Sequence, residues 1–173
     1  MSNFEHLIRN RYSCRQFSDS EVSSDKVQLI LESALLSPTA KNSRQWQFYV
    51  TDNRLLMTQL ADVKEHGASF LRDAGFAVVV ACDPKNDECW IEDCSIAAIT
   101  MQYQASDLGL GSCWCEIRDR YLSDGTSAED AVRGIVGVGE NERILCVIAF
   151  GHAKSGETKH SREADWQKVK IVD

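Results

Sequence analysis

The chain has 173 residues, 43% hydrophobic and 26% charged, which fits one soluble globular domain over 1–173 and is not the composition of a disordered chain. Nineteen lysines and arginines against 26 acidic residues leave a net charge of −7, which disfavours nucleic acid as a partner because an acidic surface repels phosphate backbones. No uncharged apolar run approaches the ~18 residues of a membrane span, and the charged N-terminus MSNFEHLIRNR is unlike a secretory leader, so a cytoplasmic protein with no membrane partner is expected.

Ser2 and Glu5 form a capping box and predict a first helix with Phe4, Leu7 and Ile8 on its apolar side. A polar segment follows over 11–24. Ser23 or Ser24 opens a second helix in which Val27, Ile30, Leu31, Ala34 and Leu35 keep an i, i+3, i+4 rhythm, and Pro38 closes it. Aromatic and β-branched residues predict a strand over 47–50. Asn53 then caps a helix through Leu55, Leu56, Leu60 and Val63. The run from Phe76 to Cys82 is apolar at every position, as in a strand covered on both faces. A long helix over 91–108 carries Ala97, Ala98, Met101, Ala105 and Leu108, and Gly109 ends it. A strand over 112–116, a helix opened by Ser127 and a second doubly covered strand over 144–150 complete the pattern. The tail from Lys154 is polar and without periodicity, and a tail of that kind frays or lies on another subunit.

Seven cysteines lie at 14, 82, 89, 94, 113, 115 and 146; four residues separate Cys89 from Cys94 and one separates Cys113 from Cys115, poor spacings for a zinc site, so reduced thiols are expected and no metal site. There is no P-loop and no Gly-x-Ser-x-Gly. The Gly109–Gly111 pair follows a helix, the wrong context for a dinucleotide fingerprint. The four histidines form no HExxH or triad-like pattern. Without catalytic apparatus of its own, the chain is either a binding module or a protein whose chemistry is carried by a cofactor.

Three segments stand out from ordinary loops. Arg9, Arg11 and Arg15 fall within seven residues and surround Tyr12 and Ser13. Guanidinium and hydroxyl groups in that density suit a phosphate or another anion, or form a solvated charge cluster. The stretch from Ser37 to Trp46 reads as a turn, with Asn42 as a turn residue and Trp46 as a core anchor. Between Leu108 and Trp114, Gly109 and Gly111 either cap a helix before a strand or let backbone approach a flat ligand.

In order and together, these segments resemble the FMN-dependent nitroreductase family. Arg11-Tyr-Ser-Cys-Arg-Gln-Phe17 is similar to its R-x-S-x-R-x-F motif, and Pro38-Thr-Ala-Lys-Asn-Ser-Arg-Gln-Trp46 to its P-[ST]-x-x-N-x-Q-P-W motif. Asp93 through Trp114 resembles the long central helix and following turn, and Ile144–Gly151 the last core strand. The resemblance implies an α+β fold, a central mixed sheet flanked by helices, in an intertwined homodimer with two FMN sites lined by both subunits. It assigns Arg11, Tyr12, Ser13 and Arg15 to the FMN phosphate, ribityl chain and pyrimidine edge. Pro38, Thr39 and Asn42 would reach the flavin, often from the partner subunit. The strand Cys113, Trp114, Cys115, Glu116 would face the ring through its backbone. His160 or Lys159, with Arg162, would close on the phosphate. Arg44 and Gln45 depart from the family pattern, which often has Gln and Pro there. Arg44 is a candidate contact for an anionic substrate or NADPH, or a surface arginine paired with a nearby acid.

The chemistry so implied is ping-pong electron transfer from NADPH or NADH through FMN to a small acceptor such as a nitroaromatic or quinone. No protein nucleophile is needed, and Arg15 would give the reduced flavin electrostatic support. The alternatives are a different FMN reaction on the same fold, dehalogenation or flavin destruction, and a non-catalytic flavin-binding or redox-sensing module.

Overall fold

The structure, a computed structural model of the chain, describes residues 4–155 and 163–172. Its centre is the pair of doubly covered strands, β2 (Phe76–Cys82) and β4 (Arg143–Gly151), joined antiparallel. Strand β1 (Trp46–Thr51) flanks β2, and β3 (Gly111–Glu116) flanks β4, giving the order β1-β2-β4-β3. Side chains of a strand alternate between faces, so β2 sends Phe76, Val78 and Val80 to one side and Ala77 and Val79 to the other. On the first side the long helix α4 (Trp90–Asp107) and α2 (Ser24–Leu35) complete a core with Ile30, Met101, Ile148 and Phe150. On the second, α3 (Arg54–Leu60) and α5 (Ala128–Val136) close over Met57, Leu60, Val132 and Val147. The rings of Phe76 and Phe150 stack at 4.9 Å across β2 and β4. The register slips between Val80 and Ala81, where β4 carries Leu145 as an extra residue, a bulge that puts Leu145 and Cys146 on the same face.

The expected mixed sheet is corrected: among the described residues all three strand pairs are antiparallel, and the parallel contact is confined to the isolated bridge between Ser13 and Ser112. The physical reason lies in the crossover. Strands β2 and β3 run the same way, joined by α4 as in a βαβ unit, but β4 enters the space between them and pairs antiparallel with both. Interleaved helices and strands therefore look like a parallel or mixed sheet in sequence without being one.

Local signals explain most boundaries. The Asn53 side chain accepts from the N–H groups of Leu55 (2.9 Å) and Leu56 (3.3 Å), holding the start of α3. Helix α2 ends where the Ser37 hydroxyl donates to the Ala34 carbonyl at 2.6 Å, ahead of Pro38. Gly109 takes φ +74° just beyond α4, a conformation that favours glycine. Ser23 stands at the N-cap of α2 without a side-chain cap bond. The Ser2 cap lies outside the described residues. Helix α1 (Phe4–Asn10) buries no residue, and Phe4 meets the Tyr103 ring of α4 edge-on at 5.5 Å. The tail is not purely polar in consequence: Trp166, Val169, Ile171 and Val172 all stand exposed. All seven cysteines are free thiols, and no helix among the described residues is long and apolar enough to cross a membrane.

One buried acid ties α5 to the sheet. Glu129 receives Arg143 through both oxygens, at 2.8 and 2.7 Å, and the Ile144 N–H at 3.0 Å. Burial pushes its carboxyl up, but the Arg143 bonds, the Ile144 bond and the Arg143 charge together hold it below the usual range. A depressed carboxylate contributes stability above its unfolded pKa and loses it as pH falls through the folded value. Glu129→Gln is expected to cost about 1–3 kcal/mol near neutral pH, toward the lower figure because Arg143 is half exposed. In urea unfolding the difference from wild type should narrow as pH drops below about 4.3.

Candidate functional site

The arginine-rich segment is held against the sheet by its own backbone. The Cys14 N–H donates to the Ser112 carbonyl at 2.9 Å, and Ser13 bridges Ser112 in parallel. Farther on, the Ser18 N–H donates to His152 and the Lys154 N–H to Gln16, both at 2.8 Å. This lays residues 13–18 along the start of β3 and the end of β4. The approach is close because residue 111 lacks a side chain: a Cβ on Gly111 would lie 2.6 Å from the Cys14 sulfur and 2.7 Å from its Cβ. An open cleft of about 680 Å³ lies beside the segment, lined by Asn10, Tyr12, Asp107, Gly111 and Ala153 among others.

Arg9 leaves the expected cluster, pairing with Glu5 one helical turn back at 3.0 Å on the exposed face of α1. Arg15 is exposed, with Nη1 donating to the Ser13 carbonyl at 3.3 Å. Arg11 is half-buried, and its side chain has no partner among the described residues. Of the β3 residues, Cys113 and Cys115 turn their side chains into the core, so only their backbone can meet a ligand. Trp114 and Glu116 face the other way, and the Trp114 Nε1–H donates to Glu116 at 2.8 Å. His160, Lys159 and Arg162 lie outside the described residues.

The second segment lies elsewhere. Residues 38–44 pack on the N-terminal end of α4, where the Ala40 N–H donates to both oxygens of Asp93 at 2.9 Å. Strand β1 starts there, Trp46 facing Cys82 at the far end of β2. Gly111 and Ser13, by contrast, sit near the C-terminal end of α4. The eighteen residues of α4 extend about 27 Å, so one chain keeps Arg11–Arg15 and Thr39–Asn42 at opposite ends of its longest helix.

The 38–44 loop is strained and tightly tied. Lys41, Asn42 and Arg44 adopt φ of +53°, +55° and +50°, where non-glycine residues pay of order 1 kcal/mol or more each. The Thr39 hydroxyl accepts from the Arg44 N–H at 3.1 Å, and Gln45 Nε2 donates to the Ser43 carbonyl at 2.9 Å. Gln45 thus gives by a side-chain bond some of the restraint a proline would supply. Arg44 is exposed, its Nε donates to Asn42 Oδ1 at 3.0 Å, and it pairs with no acid among the described residues. The Asn42 oxygen is taken by that bond, while its Nδ2 group can still donate to a ligand. The Trp46 indole N–H is buried with no hydrogen-bond partner among the described residues.

Sequence reading did not single out Asp87, Asp93 as a side chain, or Ser43 as parts of this arrangement. The Ser43 hydroxyl lies 3.1 Å from Asp87 Oδ2 and 3.3 Å from Asp93 Oδ2. Both carboxylates are buried. The available signal was Asp93 in the first turn of a long helix, which reads as an ordinary helix-dipole acid; its partner stands 53 positions earlier.

Comparison with known proteins agrees with this architecture. The pattern of the family described as the nitroreductase family matches residues 8–67 and 56–152. A protein of Archaeoglobus fulgidus, provisionally named an NADH dehydrogenase/NAD(P)H nitroreductase, is 31% identical over 163 residues, covering 92% of this chain and 89% of its own. The solved structure of an FMN-dependent nitroreductase from Clostridium difficile superposes with a TM-score of 0.92 at 34% identity, over 96% of this chain and 98% of that one. A nitroreductase with bound FMN from Desulfitobacterium hafniense shares the fold, with a TM-score of 0.77 at 23% identity and full coverage of both chains. On the strength of the matched pattern and the near full-length relatives, the chain belongs to the nitroreductase family.

Proposed function

We propose that the protein is an FMN-dependent NAD(P)H oxidoreductase of the cytoplasm, acting as a homodimer on a small acceptor such as a nitroaromatic or quinone. The observation that carries this reading is the separation of the two ligand-facing segments along α4. A flavin mononucleotide is too short to touch both in one chain, so a second copy must bring its 38–44 segment to the first copy's Arg11–Arg15. The exposed tail apolar residues, Trp166, Val169, Ile171 and Val172, and the apolar groove lined by Val22, Val27, Leu31 and Leu35 give that association surface to bury.

The residues at hand fit the cofactor. Arg11 is a cation without a partner among the described residues of an acidic chain, its neighbours Asn10 and Tyr12 line an open cleft, and Gly111 lets backbone come close. When bound, FMN supplies two-electron transfer between NAD(P)H and the acceptor. Arg11, Tyr12 and Ser13 bind its phosphate and ribityl groups, and Arg15 offsets the negative charge that reduction brings. Asn42 donates through Nδ2, Pro38 and Thr39 border the ring, and the backbone of residues 113–116 lines it. Arg162, with His160 or Lys159, would complete the phosphate contacts; all three lie outside the described residues.

The test is spectroscopic. Purified protein, or apoprotein supplied with FMN, should be yellow and bleach on anaerobic addition of NADPH or NADH, and a quinone should restore the colour. It should sediment as a dimer with an interface above ~2,000 Å². A colourless chain that takes up no FMN would overturn the reading in favour of a module; a yellow one indifferent to both nucleotides would point to another FMN reaction. In the same kinetics, Arg44→Gln should raise KM for an anionic reactant and leave kcat with a neutral quinone unchanged, a loss of uniform binding alone, diminishing with salt. Equal KM values for charged and neutral reactants would leave Arg44 a loop brace for Asn42.

A further inference from the structure

We propose that Asp93 is a positioning residue: with Asp87 and Ser43 it forms a buried latch that holds the 39–44 segment in the conformation that offers Asn42 to the flavin. The role rests on the flavin reading above.

The latch is anchored deep and acts on a loop that would not keep its shape alone. Asp93 is 3% exposed and Asp87 5%. Both Asp93 oxygens converge on the Ala40 N–H at 2.9 Å, fixing the loop one residue before Lys41, the first of the left-handed positions. At the other end, the Ser43 hydroxyl sits between the two carboxylates at 3.1 and 3.3 Å, one residue before left-handed Arg44. Asp87 is itself pinned, its Oδ1 accepting from the Cys89 N–H at 3.0 Å. Asn42 lies between the two anchors. Three left-handed non-glycine residues within four positions persist only where surrounding bonds over-determine them, and these are the bonds that do so. The Lys41–Glu88 pair at 2.6 Å is exposed on both sides and contributes little.

The pair also has an unusual charge state to manage. Burial and the neighbouring Asp87 carboxylate push the Asp93 carboxyl up, against the Ala40 and Ser43 bonds that pull it down. The titratable groups around it are Lys85, Asp87, Glu88 and Cys89 in the turn before α4, Glu92 on α4, Lys41 on the loop, and Cys82 and Cys94 in the core behind. Lys41 and Lys85 are the cations among them, and Lys41 is engaged by Glu88 at the surface. Burial beside a second carboxylate favours the protonated form of Asp93. A raised carboxyl favours the latched state while protonated and loses that contribution as pH rises through the folded pKa.

The experiment joins hydrogen exchange at the Ala40 amide with FMN titration across pH, on wild type, Asp93→Asn, Asp93→Ala and Ser43→Ala. In wild type, Ala40 should be protected in the apoprotein, and FMN affinity should fall as pH rises through the Asp93 titration. Asp93→Asn keeps an acceptor for Ala40 and cannot ionise, so it should retain protection and bind FMN with a flat pH profile. Asp93→Ala should release Ala40, exchanging roughly tenfold or more faster, and weaken FMN about tenfold. Ser43→Ala acts from the loop side, leaves the core intact, and should give the same two changes to a smaller degree should Asp93→Ala not fold. Wild-type Ala40 exchange and FMN affinity in Asp93→Ala, or in Ser43→Ala if that variant stands in for it, would overturn the latch alone. A wild-type chain that takes up no FMN would overturn the flavin reading, and with it the role of the latch, while Ala40 exchange would still report whether the loop is held.

Discussion

Replacing Arg11 or Arg15 by alanine is expected to weaken FMN binding by roughly ten- to a hundredfold, the loss of one charge-assisted hydrogen bond of about 1.5–3 kcal/mol. Neither change should unfold the apoprotein. The Arg11 side chain has no partner among the described residues, and Arg15 is exposed on a segment held by backbone bonds that do not involve its guanidinium. The two variants should differ in kind. Arg11→Ala should act on affinity, since a phosphate carries its charge in every redox state. Arg15→Ala should also lower the reduction potential of bound flavin, since its positive charge matters most when the cofactor is electron-loaded. Fluorescence titration with FMN and potentiometry on the saturated protein measure the two effects. Wild-type affinity in both variants would remove this segment from the site.

Gly111→Ala is expected to be the most damaging small substitution near the cleft. The added methyl would sit 2.6 Å from the Cys14 sulfur and 2.7 Å from its Cβ. Cys14 is fully buried and its N–H is bonded to Ser112, so it cannot give way without prising the 11–15 segment off β3. Overpacking of this kind costs about 1–3 kcal/mol, or several degrees of melting temperature for a chain of this length. Because the displaced segment is the one expected to bind FMN, affinity should fall as well. Cys14→Ala in the Gly111→Ala background should recover only part of the loss, since it removes the sulfur but not the Cβ. Gly134→Ala in α5 is the control: nothing lies within 4 Å of its missing Cβ, and a helix-interior Gly→Ala change should be neutral or stabilising. A Gly111→Ala protein with wild-type melting and FMN affinity would mean that the Ser13–Ser112 contact is loose.

What the sequence determined by itself was local. An apolar stripe at helical spacing marked α2, the unbroken runs at 76–82 and 144–150 marked the two inner strands, and Asn53 and Gly109 marked a helix start and a helix end, each for a reason contained within a few residues. The three motifs were legible in the same way, because each is a short run of residue types suited to anion or ring contact. The tertiary structure alone decided how these pieces meet. Nothing in a strand's own residues says which strand will lie beside it, so the insertion of β4 between β2 and β3 turned an expected mixed sheet into an antiparallel one. The same arrangement put Arg11–Arg15 and Thr39–Asn42 at opposite ends of α4, a separation that motif order along the chain does not reveal. The Ala40–Asp93 and Cys14–Ser112 bonds likewise join residues far apart in sequence. A side-chain pattern records which face of an element is buried, whereas the identity of what covers it is settled only when the whole chain packs.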